Sequence, residues 1–219
     1  MPLEETLHFK DNSLSLGYWA RFWTRIIKGI FSIVLGALLV TLLLSDIQPL
    51  FYLGLVLAVL WIYKIIRSRL DQSVALKKGN LAKYATYRTR KIIESAHDKS
   101  AVLGGGILLN VIRELSDIYQ IESLLHQLGV DRNEFISKTE HLLKEEIGIK
   151  ETAQWRQDRI EELMIKAFIT QKDKHEPIAP IHLFRGAVEV ENERLKRLFG
   201  IFGIEPGSID RVIQYGQDK

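Results

Sequence analysis

Three consecutive glycines, Gly104 to Gly106, stand before a helical stretch and are the first candidates for chemistry in this chain of 219 residues. Glycine-rich loops at helix N-termini bind phosphate, because backbone N–H groups and the helix dipole both attract anions. A nucleotide-binding loop also needs the pattern G-x-x-x-x-G-K-[ST] after a strand. Neither that pattern nor a strand accompanies these glycines, so we interpret the segment as a flexible loop.

Histidines are the next candidates, for metal binding or acid–base catalysis. His141 and Glu145 lie four positions apart, on one face of a helix, where both could contact a metal ion. No further ligands lie nearby in sequence, so we interpret them as a solvated pair. His182, near a helix start, is better explained as a structural contact. Since Ser-His-Asp and H-E-x-x-H patterns are missing as well, the sequence predicts no enzyme, no cofactor and no metal site.

Charge and cysteine content exclude further classes. The chain has 30 Lys and Arg against 27 Asp and Glu. Up to Gln72 there are seven basic and five acidic residues, and from Ser73 onward 23 and 22. A nucleic-acid-binding protein usually shows a basic stripe, and none is evident. The absence of cysteine excludes disulfides and thiolate metal sites.

Two long apolar stretches dominate the first third of the chain. They read GIFSIVLGALLVTLLL and LFYLGLVLAVLWIY, contain no charged residue and are separated by the five residues SDIQP. Extended by their flanks to 26–45 and 47–66, each reaches the roughly 20 residues that cross a hydrocarbon core. We therefore predict a transmembrane hairpin over 26–66. A cleaved signal peptide does not fit, because mostly polar residues come first and no cleavage site follows.

Lysine and arginine flank both apolar stretches, whereas the connecting loop carries only Asp46. Positive residues favour the cytoplasmic side, so we predict a multi-pass protein of the cell (inner) membrane with both termini in the cytoplasm. Aromatic residues at the same flanks are typical of the membrane interface. The predicted interface anchors are Trp19, Trp23, Arg25, Lys28, Trp61, Tyr63, Lys64 and Arg67.

The rest of the chain has helical periodicity, and one pattern occurs in it twice. The segment SLLHQLGVD ends a helix at Gly129 and starts another at Asp131, a capping residue. Aligned at a shift of 74 positions, the segment LFGIFGIEP repeats this order, with Gly203 in place of Gly129 and Glu205 in place of Asp131. We interpret the repetition as an internal duplication of a four-helix unit.

Together these patterns predict an all-α chain, since no stretch shows the alternation of a strand. Its predicted parts are a cytoplasmic N-terminal segment (1–25), the hairpin (26–66), a juxtamembrane linker (67–80) and a helical domain (81–214) with repeats at about 81–148 and 152–214.

The order of helices resembles the double Clp repeat, the N-terminal domain of Clp-type AAA+ unfoldases. The resemblance covers roughly Leu81 to Gln214 and rests mainly on LLHQLGVDRNEFI and IHLFRGAVEVENERLKRLFGIFGIEPGSI. It departs from the family where members often carry Thr-Glu-His: this chain has Gly106-Ile107-Leu108 and Pro180-Ile181-His182. The resemblance implies that the domain binds protein substrates, adaptors or a Clp-type ATPase or protease.

We therefore expect a membrane-anchored, non-enzymatic Clp-repeat module on the cytoplasmic face, whose partners are the lipid bilayer and other proteins but not nucleic acid. Two alternatives stay open. The chain could be the N-terminal part of a membrane-anchored AAA+ Clp unfoldase whose ATPase motor lies outside the sequence given. It could also be a structural scaffold whose repeats self-associate. The sequence does not assign the binding surface.

Overall fold

The computed structural model describes residues 7–11, 14, 18–69, 79–147, 151–171 and 176–217. Over these residues the chain forms ten α-helices and no strand, so the all-α fold class is confirmed. The chain divides into two compact units, residues 15–72 and residues 1–14 together with 73–219.

The first unit consists of two helices, α1 (Tyr18–Leu43) and α2 (Gln48–Arg69). A Cβ atom added at Gly54 would lie 2.9 Å from the Cβ atom of Leu42, so this glycine permits the close packing of α2 against the end of α1. In α1 the most apolar stretch is only 6% buried, unlike a helix in the core of a soluble protein. Within the described residues, α1 is the one helix long and apolar enough to cross a membrane.

The second apolar stretch is shorter than the sequence analysis expects. The apolar part of α2 covers Gln48–Tyr63, which by itself falls short of a membrane span. The structure thus supports one spanning helix, and the second span remains a prediction.

The second unit contains eight helices in two sets of four, with lengths of 17, 9, 9 and 14 residues in the first set and 17, 10, 9 and 12 in the second. The first set is α3 (Tyr87–Leu103), α4 (Ile107–Leu115), α5 (Tyr119–Gln127) and α6 (Arg132–Glu145), and the second is α7 (Ala153–Ile169), α8 (Pro180–Glu189), α9 (Glu193–Ile201) and α10 (Pro206–Gln217).

The third helix of each set packs on helices of the other set, and the two sets share one core. Helix α5 packs on α8 and α10 of the other set, and α9 packs on α4 and α6 in the same way. At the centre lies Phe135 of α6, whose ring centroid is 5.3 Å from that of Phe202 and 6.3 Å from that of Phe184. Because these rings come from different sets, neither set buries its apolar face alone.

Matching caps start and end the helices of the two sets. The first helix of each set begins at a threonine, Thr86 or Thr152, whose hydroxyl accepts a backbone N–H from the third residue on. The third helix of each set ends at a glycine in the left-handed region, Gly129 with φ 75° and Gly203 with φ 62°. The next N–H in each case donates to the carbonyl five residues back at 2.9 Å. Asp131 then caps α6, as the sequence predicts.

An arginine on the second helix of each set ties that helix to the fourth, which the sequence analysis missed. Its guanidinium bonds one carboxylate a single turn away and another on the fourth helix, and such charge-assisted bonds are strong. The pairs are Arg113 with Asp117 and Glu140 at 2.8 and 2.9 Å, and Arg185 with Glu189 and Asp210 at 2.8 and 2.7 Å.

The N-terminal segment belongs to the helical domain, a contact that no sequence pattern indicated. The N–H of His8 donates to the carbonyl of Gly79, and the N–H of Leu81 donates to the carbonyl of His8, both at 2.9 Å. The side chain of Asn80 bonds both the N–H and the carbonyl of Lys10, at 3.2 and 3.1 Å. We call residues Leu7–Asp11 the N-terminal strap.

Apolar side chains hold the strap in place. Leu7 and Phe9 are 6% and 2% exposed and lie in the same core cluster as Leu81. Leu14 is buried in that cluster as well. The chain therefore leaves the helical domain after the strap, forms the two-helix unit and returns to the same domain at Gly79. The hairpin is an insertion into the domain, whose sequence-predicted limits of 81–214 leave out the strap.

Substitutions at two glycines, Gly200 inside α9 and Gly203 just after it, test how this helix ends. We expect Gly203→Ala to destabilise the protein by about 1 kcal/mol, because a side chain disfavours the left-handed backbone there. We expect Gly200→Ala, inside α9, to stabilise it by up to about 1 kcal/mol, because alanine is the better helix former. An added Cβ at either position has no neighbour within 4 Å, so packing does not contribute. Thermal unfolding of the full-length protein measures both, and effects of the same sign would contradict the assigned cap.

Candidate functional site

A groove lies between the two sets of helices, where α5, the start of α8 and α10 meet. Its volume is about 290 Å³, close to the lower end of the range for ligand sites. It is lined by Tyr119, Gln120, Ser123, Leu124 and Gln127 of α5, by Ile181 and His182 of α8, and by Val212 and Ile213 of α10. We call it the α5–α8–α10 groove.

The chemistry of this groove is apolar with polar margins. Leu124 is buried and Ile181 is half-buried, and they provide an apolar lining. Tyr119 is 80% exposed, so its ring is available to a partner and contributes little to the core. Gln120 and Gln127 supply amide groups on the same helix. Exposed tyrosines beside apolar residues are enriched at protein–protein interfaces.

His182 has a structural role at the start of α8. Its Nδ1 atom accepts the backbone N–H of Ala179 at 3.1 Å, which places the proton of the neutral imidazole on Nε2. Pro180 occupies the first turn of the same helix, where it needs no N–H partner. This is the structural contact that the sequence analysis favours for His182.

The N-terminus of α4, after the three glycines, is filled by carboxylates of the chain itself. The N–H of Gly106 donates to Glu146 Oε2 at 2.7 Å, and the N–H of Ile107 donates to Glu151 Oε2 at 3.2 Å. The hydroxyl of Ser100 donates to the carbonyl of Gly105 at 2.9 Å. The N–H groups that would bind a phosphate therefore donate to carboxylates of the chain. These hydrogen bonds hold the segment in place, unlike the flexible loop that the sequence analysis expects.

The pair of His141 and Glu145 belongs to a cluster of charges between α6 and α9. Their side chains are 3.2 Å apart, as expected for neighbours on one helix face. Glu145 also accepts from Arg194 at 2.6 Å and from Arg197 at 3.3 Å. Among the residues that the structure describes, no three potential ligands come together to hold a metal ion.

The predicted interface anchors lie on the two helices of the hairpin. Trp19, Trp23, Arg25 and Lys28 are on α1, and Trp61 and Tyr63 are on α2. The rings of Trp19, Trp23 and Tyr63 are exposed. The side chains of Lys64 and Arg67 lie outside the described residues.

The two isoleucines at the positions where Clp repeats often carry glutamate have different surroundings. Ile107 is fully buried in the core, so its side chain cannot meet a partner. Ile181 lines the α5–α8–α10 groove.

Comparison with known proteins shows no relative: no family model matches the chain, and neither a curated protein nor a solved structure matches it.

The carboxyl of Glu151 at α4 makes stability depend on pH. Burial raises the pKa of Glu151, and Glu146 adds to the rise, while hydrogen bonds from Ile107 and Ser100 oppose it. An acid whose pKa is higher in the folded than in the unfolded protein stabilises the fold most when protonated. The stability that depends on Glu151 therefore grows as pH falls from neutral towards the ordinary value of 4.5, and is lost as pH rises through the folded pKa.

We accordingly expect Glu151→Gln, which keeps an acceptor oxygen but removes the charge, to raise the unfolding temperature at pH 7. The gain over the wild-type protein should shrink at pH 5, where more of the wild-type carboxyl is protonated. Thermal unfolding at both pH values measures this, with the exposed Glu191→Gln as the charge-matched control. A lower unfolding temperature for Glu151→Gln at pH 7 would show that the charged form is the stabilising one.

Proposed function

We propose that this protein is a membrane-anchored, non-enzymatic module that binds other proteins through the α5–α8–α10 groove on the cytoplasmic face. The hairpin is the anchor and the helical domain is the binding part. The observation that carries the proposal is the bonding of the N-terminal strap to Gly79 and Leu81, which joins both ends of the hairpin to one domain.

This bonding limits how the hairpin can cross a bilayer. A chain that crossed once would leave the strap and Gly79 on opposite sides, where they could not form hydrogen bonds. The number of crossings between them is therefore even. Helix α1 is long enough to cross, so α2 makes the return crossing. The apolar part Gln48–Tyr63 is about 24 Å long, so a crossing of the roughly 30 Å of hydrocarbon also needs residues of α2 beyond Tyr63, and the whole helix of 22 residues is about 33 Å long.

Charge gives the orientation. Arg25 and Lys28 belong to α1 near its start, and Lys64 and Arg67 belong to α2 near its end, whereas the loop between the helices carries only Asp46. Positive residues are enriched on the cytoplasmic side of membrane helices. The strap and the helical domain, which lie at the positively charged ends of the hairpin, are thus cytoplasmic.

Protein binding is proposed from the groove together with the resemblance of the helices to the double Clp repeat. In that family the domain contacts protein substrates and adaptors, and here the groove offers an exposed tyrosine beside apolar residues. Attachment to the membrane raises the effective concentration of such a module towards clients in the same membrane, without adding any contact. A shallow groove of modest affinity is sufficient under those conditions.

Site-specific crosslinking tests this proposal in native membranes. A photoreactive phenylalanine analogue in place of Gln120, an exposed residue of the groove, should crosslink a bound protein. Adding Tyr119→Ala should reduce the crosslinked product by about tenfold, because aromatic residues carry a large share of interface energy. Tyr119 is 80% exposed, so its truncation leaves the core intact.

The matched control is Tyr87→Ala, which removes an exposed tyrosine at the start of α3, outside the groove. It should leave the crosslinked product unchanged. Absence of any crosslinked protein, or equal loss with both substitutions, would contradict a binding role for the α5–α8–α10 groove.

A further inference from the structure

A second groove lies where the N-terminal strap meets the beginning of the helical domain. Its volume is about 470 Å³, and its lining is mainly polar. It is formed by Lys10 and Asp11 of the strap, Asn80, Ala82 and Lys83 around the short 3₁₀ turn Leu81–Lys83, and Arg90 of α3. We call it the strap groove.

The strap groove carries an excess of positive charge. Lys10, Lys83 and Arg90 face one acid, Asp11, which is already engaged in an interaction of its own. In the part of the chain that the structure describes, the side chains of these three cations form no ion pair and no hydrogen bond. The contrast is with Arg113 and Arg185, each of which binds two carboxylates. Three exposed cations at one groove repel one another until an anion binds between them.

The fold fixes this arrangement. The side chain of Asn80 forms hydrogen bonds with both the N–H and the carbonyl of Lys10, so the domain itself fixes the backbone of the strap lysine. Arg90 is part of α3, and its backbone N–H donates to the carbonyl of Thr86 at 3.0 Å. The three cations therefore line the groove from backbone that the domain already holds in order, so binding does not have to order a loose tail.

The short chain segments between the hairpin and the helical domain determine which anion the groove encounters. Six residues connect Asp11 to Tyr18, the first residue of α1, and nine connect Arg69, the last of α2, to Gly79. A chain of six residues extends over at most about 25 Å. The groove is thus joined to a membrane-held hairpin by at most about 25 Å of chain, whereas soluble anions are present only at their bulk concentration.

We propose that the strap groove binds the headgroups of anionic lipids in the membrane that holds the hairpin, an inference that rests on the membrane anchoring proposed above. Phosphate oxygens of a phosphatidylglycerol or phosphatidylserine headgroup accept hydrogen bonds from the arginine fork and the two ammonium groups. Each cation close to an anionic surface strengthens binding by roughly fivefold, and salt weakens it. Occupancy of the groove holds the helical domain at the bilayer surface.

Hydrogen exchange of the full-length protein in nanodiscs tests the proposal. One set of discs contains phosphatidylcholine alone, and the other contains phosphatidylcholine with phosphatidylglycerol. We expect the amides of residues 7–11 and 79–90 to exchange severalfold more slowly in the anionic discs at low salt, with the difference lost at high salt. The triple variant Lys10→Gln, Lys83→Gln and Arg90→Gln should exchange at the same rate in both kinds of disc.

The control variant removes three exposed cations from other helices of the same domain, Lys138→Gln, Lys196→Gln and Arg211→Gln, and should respond to lipid as the wild-type protein does. Equal exchange of the wild-type protein in both discs, or an equal response of both triple variants, would overturn the proposal. So would slowing in phosphatidylcholine discs by inorganic phosphate, since a soluble anion would then be the ligand. Failure of the protein to enter discs at all would instead refute the membrane anchoring, and co-elution with lipid reveals that before exchange begins.

Discussion

The backbone pairing of His8 with Asn80 is the interaction on which the rest of the structure depends. Without it, the chain would consist of a polar tail, an apolar hairpin and a separate helical domain in series. With it, the hairpin becomes an insertion between two segments that share one hydrophobic core, to which Phe9 and Leu81 both belong. The same pairing underlies the even number of membrane crossings proposed above and brings Lys10 to the strap groove. Two backbone hydrogen bonds of 2.9 Å and a buried phenylalanine therefore join the segments before and after the hairpin in one domain.

Behind the strap, one helical plan is used twice, and its two copies depend on each other. The third helix of each set packs on the second and fourth of the other, and Phe135 of the first set packs among rings of the second. The α5–α8–α10 groove results from this packing between the sets, because its walls come from both of them. A matching groove cannot arise on the other side with the same chemistry, since α9 carries Arg194 and Arg197, which are bound to Glu145. The duplicated backbone thus carries different chemistry at the two corresponding faces, apolar residues at α5 and paired charges at α9.

Features encoded by neighbouring residues were predictable from the sequence, and features that join distant residues were not. Helical periodicity gave the all-α class, and the glycines at 129 and 203 gave the helix ends, because a left-handed cap is a local property. The strap was missed because its partner lies about 70 positions away, and its hydrophobic residues are too few to form a period. The ion pairs of Arg113 and Arg185 with the fourth helices were missed for a related reason. The sequence offers many acids that could pair with an arginine on a helix, and only the packing of the helices determines which acid does. The second apolar stretch was judged by composition, whereas its described apolar part is shorter than a span.

A cysteine pair tests the central claim most directly, and the natural chain has no cysteine to interfere. Paired residues on adjacent strands are about 4.8 Å apart, within the range that a disulfide bridges. In protein carrying His8→Cys and Asn80→Cys, mild oxidation of intact membranes should link the two positions within one molecule, as mass spectrometry of the joined peptides would show. His8→Cys alone should give no such link. If the two cysteines stay unlinked and a membrane-impermeant maleimide reaches them from opposite faces of the membrane, the ends of the hairpin lie on different sides and the account is wrong.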